Sequence, residues 1–187
     1  MTPIPGRFGA VLTAMVTPFD GAGHLDLDKA RDLARWLVDQ GNTGLVVSGT
    51  TGESPTLTDN EKLDLWAAVS EAVTVPVIAG SSSNDTHHSV ELTAKAAGTG
   101  VAGILAVTPY YNRPSQAGLV GHFQAVAAAA GDLPVMLYDI PIRAGRKIDT
   151  DTLAALVRDV PNVVAVKDAA ANPGETTRLM AAAPEVE

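Results

Sequence analysis

The sequence predicts an α/β protein built as part of a (β/α)8 TIM barrel, and three observations lead to this fold class. Six short apolar runs recur along the 187 residues at intervals of roughly thirty residues, the length of one strand plus one helix. The segments between the runs have the apolar spacing of amphipathic helices. Polar residues collect at the carboxyl ends of the predicted strands, the edge at which barrel enzymes carry their chemistry.

The six predicted strands are continuous apolar runs rather than alternating ones. In chain order they are AVLTAMV at 10–16, GLVVS at 44–48, PVIAG at 76–80, GILAV at 103–107, PVMLY at 134–138 and VVAVK at 163–167. Runs of this kind are typical of a parallel sheet that helices cover on both faces.

The helices between the strands are predicted from apolar residues three and four positions apart. Their faces comprise Ala30, Leu33, Ala34, Leu37 and Val38; Leu119, His122, Phe123, Val126, Ala127 and Ala130; and Leu153, Leu156, Val157 and Val160. Thr58 with Glu61 is a capping-box pattern that opens the second helix, and Asp149 or Thr150 can cap the fifth. NPGETTRLMAAAP, after the last strand, predicts a sixth helix.

Six consecutive β/α units also fit a doubly wound sheet. The dinucleotide-binding form of that fold needs a glycine fingerprint after its first strand, but TPFDGAGHLD at 17–26 lacks the third glycine at the right offset and is a turn. The barrel is favoured because polar residues follow every strand. They are Thr17, residues 48–51, residues 81–83, residues 108–111, Tyr138 and Lys167.

Composition excludes several classes of function. The net charge of −8 and the lack of a basic patch argue against a nucleic-acid partner, and the absence of cysteine excludes disulfides and thiolate metal sites. No apolar run approaches the roughly eighteen residues of a membrane helix. The start MTPIPGRFG has no apolar core of a secretory signal. We therefore expect a cytoplasmic protein without a membrane partner.

Three stretches together carry a family resemblance: GTTGES at 49–54, TPYYNRPSQAG at 108–118, and YDIPIRAG at 138–145 followed by VKDAA at 166–170. In this order, on successive strand ends, they resemble the pyruvate-dependent class I aldolases of the dihydrodipicolinate synthase and N-acetylneuraminate lyase superfamily. The resemblance runs from Gly9 to the end of the chain. It implies a Schiff-base-forming lyase with no cofactor or metal that assembles as a homodimer or homotetramer.

Lys167 is the catalytic candidate because it closes a strand predicted to be buried. Val163 and Ala165 lie on the same side of that strand as Lys167, while Asp168 points the other way and is not expected to be its partner. An unperturbed lysine has a pKa of about 10.4, so its neutral fraction at pH 7 is only on the order of one part in a thousand. Burial raises that fraction. By the resemblance, Lys167 forms an imine with the ketone of pyruvate.

The resemblance also implies a proton relay and carboxylate contacts. It makes Tyr138 the relay residue, Thr51 its hydrogen-bonded neighbour, and Tyr111 the residue that reaches across a subunit boundary. Thr50 and Thr51, in a turn before a helix, would hold the pyruvate carboxylate through backbone N–H groups. Arg143 would bind the carboxylate of aspartate semialdehyde through its planar fork.

These assignments imply condensation of pyruvate with L-aspartate 4-semialdehyde to give 4-hydroxy-tetrahydrodipicolinate, in lysine and diaminopimelate biosynthesis. One alternative is a sibling aldolase that acts on a keto sugar acid, although such lyases generally lack an arginine at the position of Arg143.

His87 and His88 could suggest a metal, but a single pair with no nearby third ligand is more simply a solvated helix start.

The other alternative is a non-catalytic fragment or interaction subunit. By the resemblance, the chain carries the first six β/α units as one partial barrel domain, 1–187, and lacks the last two strands and a C-terminal helical domain. The first and sixth strands would then keep unpaired edges and bare apolar faces.

Overall fold

A computed structural model describes residues 6–187, so the MTPIPGRFG stretch lies partly outside the described residues. The strands are β1 (Leu12–Ala14), β2 (Gly44–Val47), β3 (Val77–Gly80), β4 (Gly103–Val107), β5 (Val135–Asp139) and β6 (Val163–Asp168). The helices are α1 (Leu27–Asp39), α2 (Asp59–Ala72), α3 (Thr86–Ala96), α4 (Gln116–Ala129), α5 (Pro141–Ala144), α6 (Thr150–Asp159) and α7 (Pro173–Ala182). Short 3-10 turns cover Ser54–Thr56 and Ala97–Thr99.

The six strands form one sheet in chain order, β1 to β6. Each strand overlaps one of the six predicted runs, and β5 and β6 extend one residue beyond theirs. Pairing is parallel between β1 and β2, β2 and β3, and β5 and β6. The first strand is shorter than predicted. Val11 and Val16 belong to the predicted run but lie outside β1, and they are 56% and 52% exposed.

The chain divides into two compact units, each with its own core. The first unit runs through Gly80 and includes Lys95–Ile104. In it, α1 packs against α2, and α2 also packs against β3. Leu65 and Trp66 of α2 are fully buried, as are Leu45 and Ile78 of the strands. The predicted capping box is present, because Thr58 and Glu61 exchange side-chain and backbone hydrogen bonds at the start of α2.

The second unit comprises Ser81–Ala94 and Leu105–Glu187. Its core is built by β5 and β6 with α4, α6 and α7, where α6 packs on α4 and α7. Asn172 caps α7 through its side chain, whereas Asp149 stands at the N-cap of α6 without a side-chain cap bond. The backbone N–H of Asp149 instead donates to the side-chain oxygen of Gln116 at 3.1 Å.

The outer edge of β6 corrects one prediction. We expected this edge to be unpaired, but the Val166 N–H donates to the Glu187 carbonyl at 2.9 Å and the Glu187 N–H donates to the Val164 carbonyl at 3.0 Å. Val164 and Val166 are half-buried rather than bare. The residues after α7 therefore return beside β6 and satisfy part of its backbone.

No helix within residues 6–187 is both long enough and apolar enough to cross a membrane.

Candidate active site

Lys167 and Tyr138 meet at the carboxyl ends of two neighbouring strands. They are directly paired in the register of β5 and β6. The Lys167 Nζ lies 4.4 Å from the centroid of the Tyr138 ring, over its face. All five residues of β5 are buried, and the exposed fraction of Tyr138 is 5%. The register therefore places the two residues at the same depth.

Burial lowers the pKa of the Lys167 amine from its usual value, because desolvation disfavours the ammonium form. The neighbouring carboxylate, Asp168, is engaged elsewhere. Its Oδ1 accepts from the Ala170 N–H at 2.9 Å and its Oδ2 accepts from the Thr176 hydroxyl at 2.5 Å. The Lys167 amine is therefore partly buried and lies beside the ring of Tyr138. Asp168 has a structural role at the start of the following loop.

Tyr111 lies in the loop after β4 and is 90% exposed. Its backbone is left-handed at φ 72°, a conformation that residues other than glycine rarely adopt. The nearby Arg113 is also left-handed, at φ 48°. The Tyr111 N–H donates to the Ala144 carbonyl at 3.3 Å. This loop is thus attached to α5 through its backbone while the tyrosine side chain projects into solvent.

Arg143 lies on α5, a single turn that the sequence analysis did not predict. Pro141 occupies the first turn of α5, and Gly145 ends it in the left-handed region at φ 72°. Arg143 and Ile142 are both exposed, whereas Ala144 is buried. The PIRAG stretch therefore forms a compact turn that presents the guanidinium of Arg143 on the surface of the second unit.

Thr50 and Thr51 lie in the first unit, after β2. The Gly49 carbonyl accepts from Ser54 and the Thr50 carbonyl accepts from Glu53, both at 3.2 Å. Glu53 is left-handed at φ 57° and leads into the 3-10 turn Ser54–Thr56. The turn lies before a helix as expected, and α2 begins at Asp59 after the N-cap Thr58.

His87 and His88 lie in the first turn of α3. Their backbone N–H groups donate to the Asp85 carboxylate at 2.9 and 3.3 Å. Across residues 6–187, no group of three or more histidine, aspartate or glutamate side chains is arranged to hold a metal ion.

Comparison with known proteins decides the family. The family model described as "Dihydrodipicolinate synthetase family" matches residues 7–185, almost the whole chain. The chain belongs to the dihydrodipicolinate synthetase family. It is 57% identical over 167 residues to a 4-hydroxy-tetrahydrodipicolinate synthase of Acidothermus cellulolyticus, a match that covers 88% of this chain and 54% of the relative.

Solved structures of the dihydrodipicolinate synthetase family agree with the fold. The dihydrodipicolinate synthase of Bacillus anthracis superposes with a TM-score of 0.91 at 47% identity, and the lysine-bound enzyme of Cyanidioschyzon merolae with 0.92 at 44%. Each alignment covers 94% of this chain and 60% of the other. The predicted fold class, six β/α units of a TIM barrel, is confirmed. The chain spans a little over half the length of the curated relative and 60% of each solved chain.

Sequence reasoning missed two residues that support the family's GTTGES turn. Ser48 is buried and left-handed at φ 51°, and its hydroxyl donates to the Gly80 carbonyl at 3.2 Å. The indole N–H of Trp66 donates to the same hydroxyl at 2.8 Å. Glycine at position 80 is required because a Cβ there would lie 2.3 Å from the Ser48 carbonyl oxygen. The sequence did show that Ser48 is a polar residue at the end of an apolar strand. It gave no sign that Trp66, eighteen residues later, would be its hydrogen-bond partner.

Replacing Trp66 by phenylalanine is expected to destabilise this turn. The variant leaves the Ser48 hydroxyl without its buried donor and also leaves a small cavity, which together cost about 1–3 kcal/mol. Urea unfolding should show the loss, and amide exchange should accelerate at residues 48–54. Trp36→Phe is the matched control, because Trp36 is 56% exposed on α1. Equal effects of the two substitutions would contradict this account.

Proposed function

We propose that this chain carries most of the active-site side chains of a 4-hydroxy-tetrahydrodipicolinate synthase, which condenses pyruvate with L-aspartate 4-semialdehyde. The single observation that carries the proposal is the partly buried Lys167, whose pKa is lowered, with its amine over the ring of Tyr138. Membership of the dihydrodipicolinate synthetase family supports the same reaction.

In the proposed reaction the Lys167 amine adds to the ketone carbon of pyruvate, and loss of water gives an imine. Loss of a methyl proton then gives an enamine, whose carbon adds to the aldehyde carbon of the second substrate. The aldehyde oxygen takes up a proton and becomes the 4-hydroxyl group. The amino group of the second substrate finally attacks the imine carbon, the bond to Lys167 breaks, and the ring closes. No cofactor is needed for these steps.

Tyr138 is proposed to move protons during imine formation, since a phenol can both donate and accept a hydrogen bond. Its place beside the Lys167 amine supports this role. Thr51 is assigned to the same relay by family resemblance, and Tyr111 is assigned to the relay of a neighbouring subunit. The 90% exposure of Tyr111 supports that assignment, because a residue that acts in a second subunit must leave its own.

Carboxylate binding is proposed for Thr50 and Thr51 towards pyruvate and for Arg143 towards aspartate semialdehyde. The exposure of Arg143 on α5 leaves its guanidinium open to a ligand. A planar guanidinium binds a carboxylate through two parallel hydrogen bonds, which also fixes the orientation of the substrate.

The setting of this activity is also part of the proposal. We place the protein in the cytoplasm as a homodimer or homotetramer, with residues 1–187 forming one partial barrel domain. The runner-up is a non-catalytic fragment or interaction subunit, favoured by the match to only 54% of the curated relative's length.

A substrate comparison tests the proposal. The protein should consume pyruvate only when aspartate semialdehyde is present, and it should leave sialic acid and keto-deoxygluconate intact. Cleavage of either sugar acid would instead indicate a sibling aldolase. A chain that binds pyruvate covalently but converts no aldehyde would favour the fragment. An intact mass of the natural protein should accompany the assay.

A further inference from the structure

The loop between β5 and α6 is closed at its base by one buried carboxylate. Asp139, the last residue of β5, is 1% exposed. Its Oδ1 accepts from the Ile148 N–H at 3.1 Å, and its Oδ2 lies 3.4 Å from the Lys147 Nζ. The two ends of the segment 139–148 therefore meet at a single side chain, and Arg143 lies midway between them.

Lys147 extends this closure to the next β/α unit. Its Nζ donates to the Ile148 carbonyl at 2.9 Å and forms an ion pair with Glu175 Oε2 at 2.8 Å. Glu175 lies in the first turn of α7, the helix that follows the Lys167 strand. The Lys147 carbonyl also accepts from the side-chain nitrogen of Gln116 at 3.0 Å. One ammonium group thus connects the Arg143 loop with both β5 and α7.

The Lys147 ammonium neutralises the buried Asp139 carboxylate at the base of the loop. Burial raises the pKa of the Asp139 carboxyl, while the Ile148 N–H and the Lys147 ammonium oppose that rise. Glu175 and Asp139 raise the pKa of Lys147 against its own desolvation. Removing the ammonium would leave the buried Asp139 carboxylate with one backbone donor, and a buried charge that loses its partner is destabilising. The loop would relieve this by opening at its base.

We propose that Lys147 is a positioning residue, which holds the Arg143 loop against β5 and α7 and so sets the place of the guanidinium relative to Lys167. This inference rests on the proposed function. Its consequence is a separation of effects between the two substrates. Binding of the aspartate semialdehyde carboxylate depends on Arg143, whereas formation of the pyruvate imine depends on Lys167 and Tyr138. The direct pairing of β5 with β6 holds those two residues in place without Lys147.

Three variants and one control test the positioning role. Lys147→Met removes the ammonium and retains much of the side chain. Lys147→Met with Asp139→Asn also removes the stranded charge. Glu175→Gln breaks only the ion pair to α7. Arg178→Met is the control, because Arg178 makes an exposed pair with Asp151 that joins α7 to α6 without reaching β5.

The first measurement is amide exchange, which needs no activity. Lys147→Met should accelerate exchange at residues 143–148 by about tenfold or more, and the double variant should restore part of the protection. Glu175→Gln should give a smaller acceleration in the same segment, and Arg178→Met none. If Lys147→Met does not fold, the contrast between Glu175→Gln and Arg178→Met decides. Unchanged exchange at residues 143–148 would overturn the proposal.

The second measurement separates the substrates. Lys147→Met should raise KM for aspartate semialdehyde by about tenfold, while the rate of borohydride-trapped pyruvate imine stays within about twofold of the parent. Equal losses for both substrates would mean a general structural role and would overturn the inference. A parent protein that forms no imine would contradict the proposed function instead, and the exchange data would still judge the positioning role.

Discussion

Replacing Lys167 by alanine is expected to lower the rate of condensation by on the order of 10³-fold or more, because no other group in the proposed mechanism can form the imine. Borohydride treatment in the presence of pyruvate should add one reduced pyruvate to the parent protein, on the peptide that contains Lys167. The variant should remain unlabelled and folded, since the side chain lies at the end of β6 beyond its buried residues.

Lys95→Ala is the matched control, because Lys95 is an exposed lysine near the end of α3. It should label and turn over like the parent. Burial lowers the pKa of Lys167, so the neutral amine becomes available at a lower pH than for an exposed lysine. Trapping should therefore rise with pH and level off below the usual lysine range. Labelling that persists in Lys167→Ala, or that maps to another lysine, would refute the assignment.

The strands and the Lys167–Tyr138 pair could be predicted from sequence for a definite physical reason. Strands covered on both faces are mostly apolar, so the runs locate the strands, although β1 is shorter than its run and β5 and β6 continue one residue past theirs. The predicted runs end at Tyr138 and Lys167, and the register pairs these two residues, although it also shifts by one residue between Val135 and Met136, which the runs do not indicate. Local patterns of this kind need no knowledge of distant partners.

The features that sequence reasoning missed depend on distant partners. The single turn α5 is too short to show helical periodicity, and its proline and glycine indicate a turn as readily as a helix. The Ser48 conformation is maintained by Trp66, and the Arg143 loop is closed by Asp139, Lys147 and Glu175. Each is a side-chain contact between elements separated along the chain. Such contacts become visible only when the fold brings the elements together.

The hydroxyl of Tyr138 provides a second large effect that can be separated from the ring. Tyr138→Phe retains the aromatic face over which the Lys167 amine lies at 4.4 Å, so packing and the local environment of the amine should persist. Only the group that would pass protons is removed. We expect the condensation rate to fall by about 10²–10⁴-fold, the usual contribution of a positioned proton-transfer group.

Tyr110→Phe is the control for this substitution, since Tyr110 is a half-buried tyrosine in the loop after β4 with no assigned role. Its rate should stay within about threefold of the parent. Imine trapping should distinguish the cause of the loss in Tyr138→Phe. If the hydroxyl moves protons, the imine should form slowly but reach full occupancy, because the Lys167 amine is intact. A rate within about threefold of the parent for Tyr138→Phe would show that another group moves these protons.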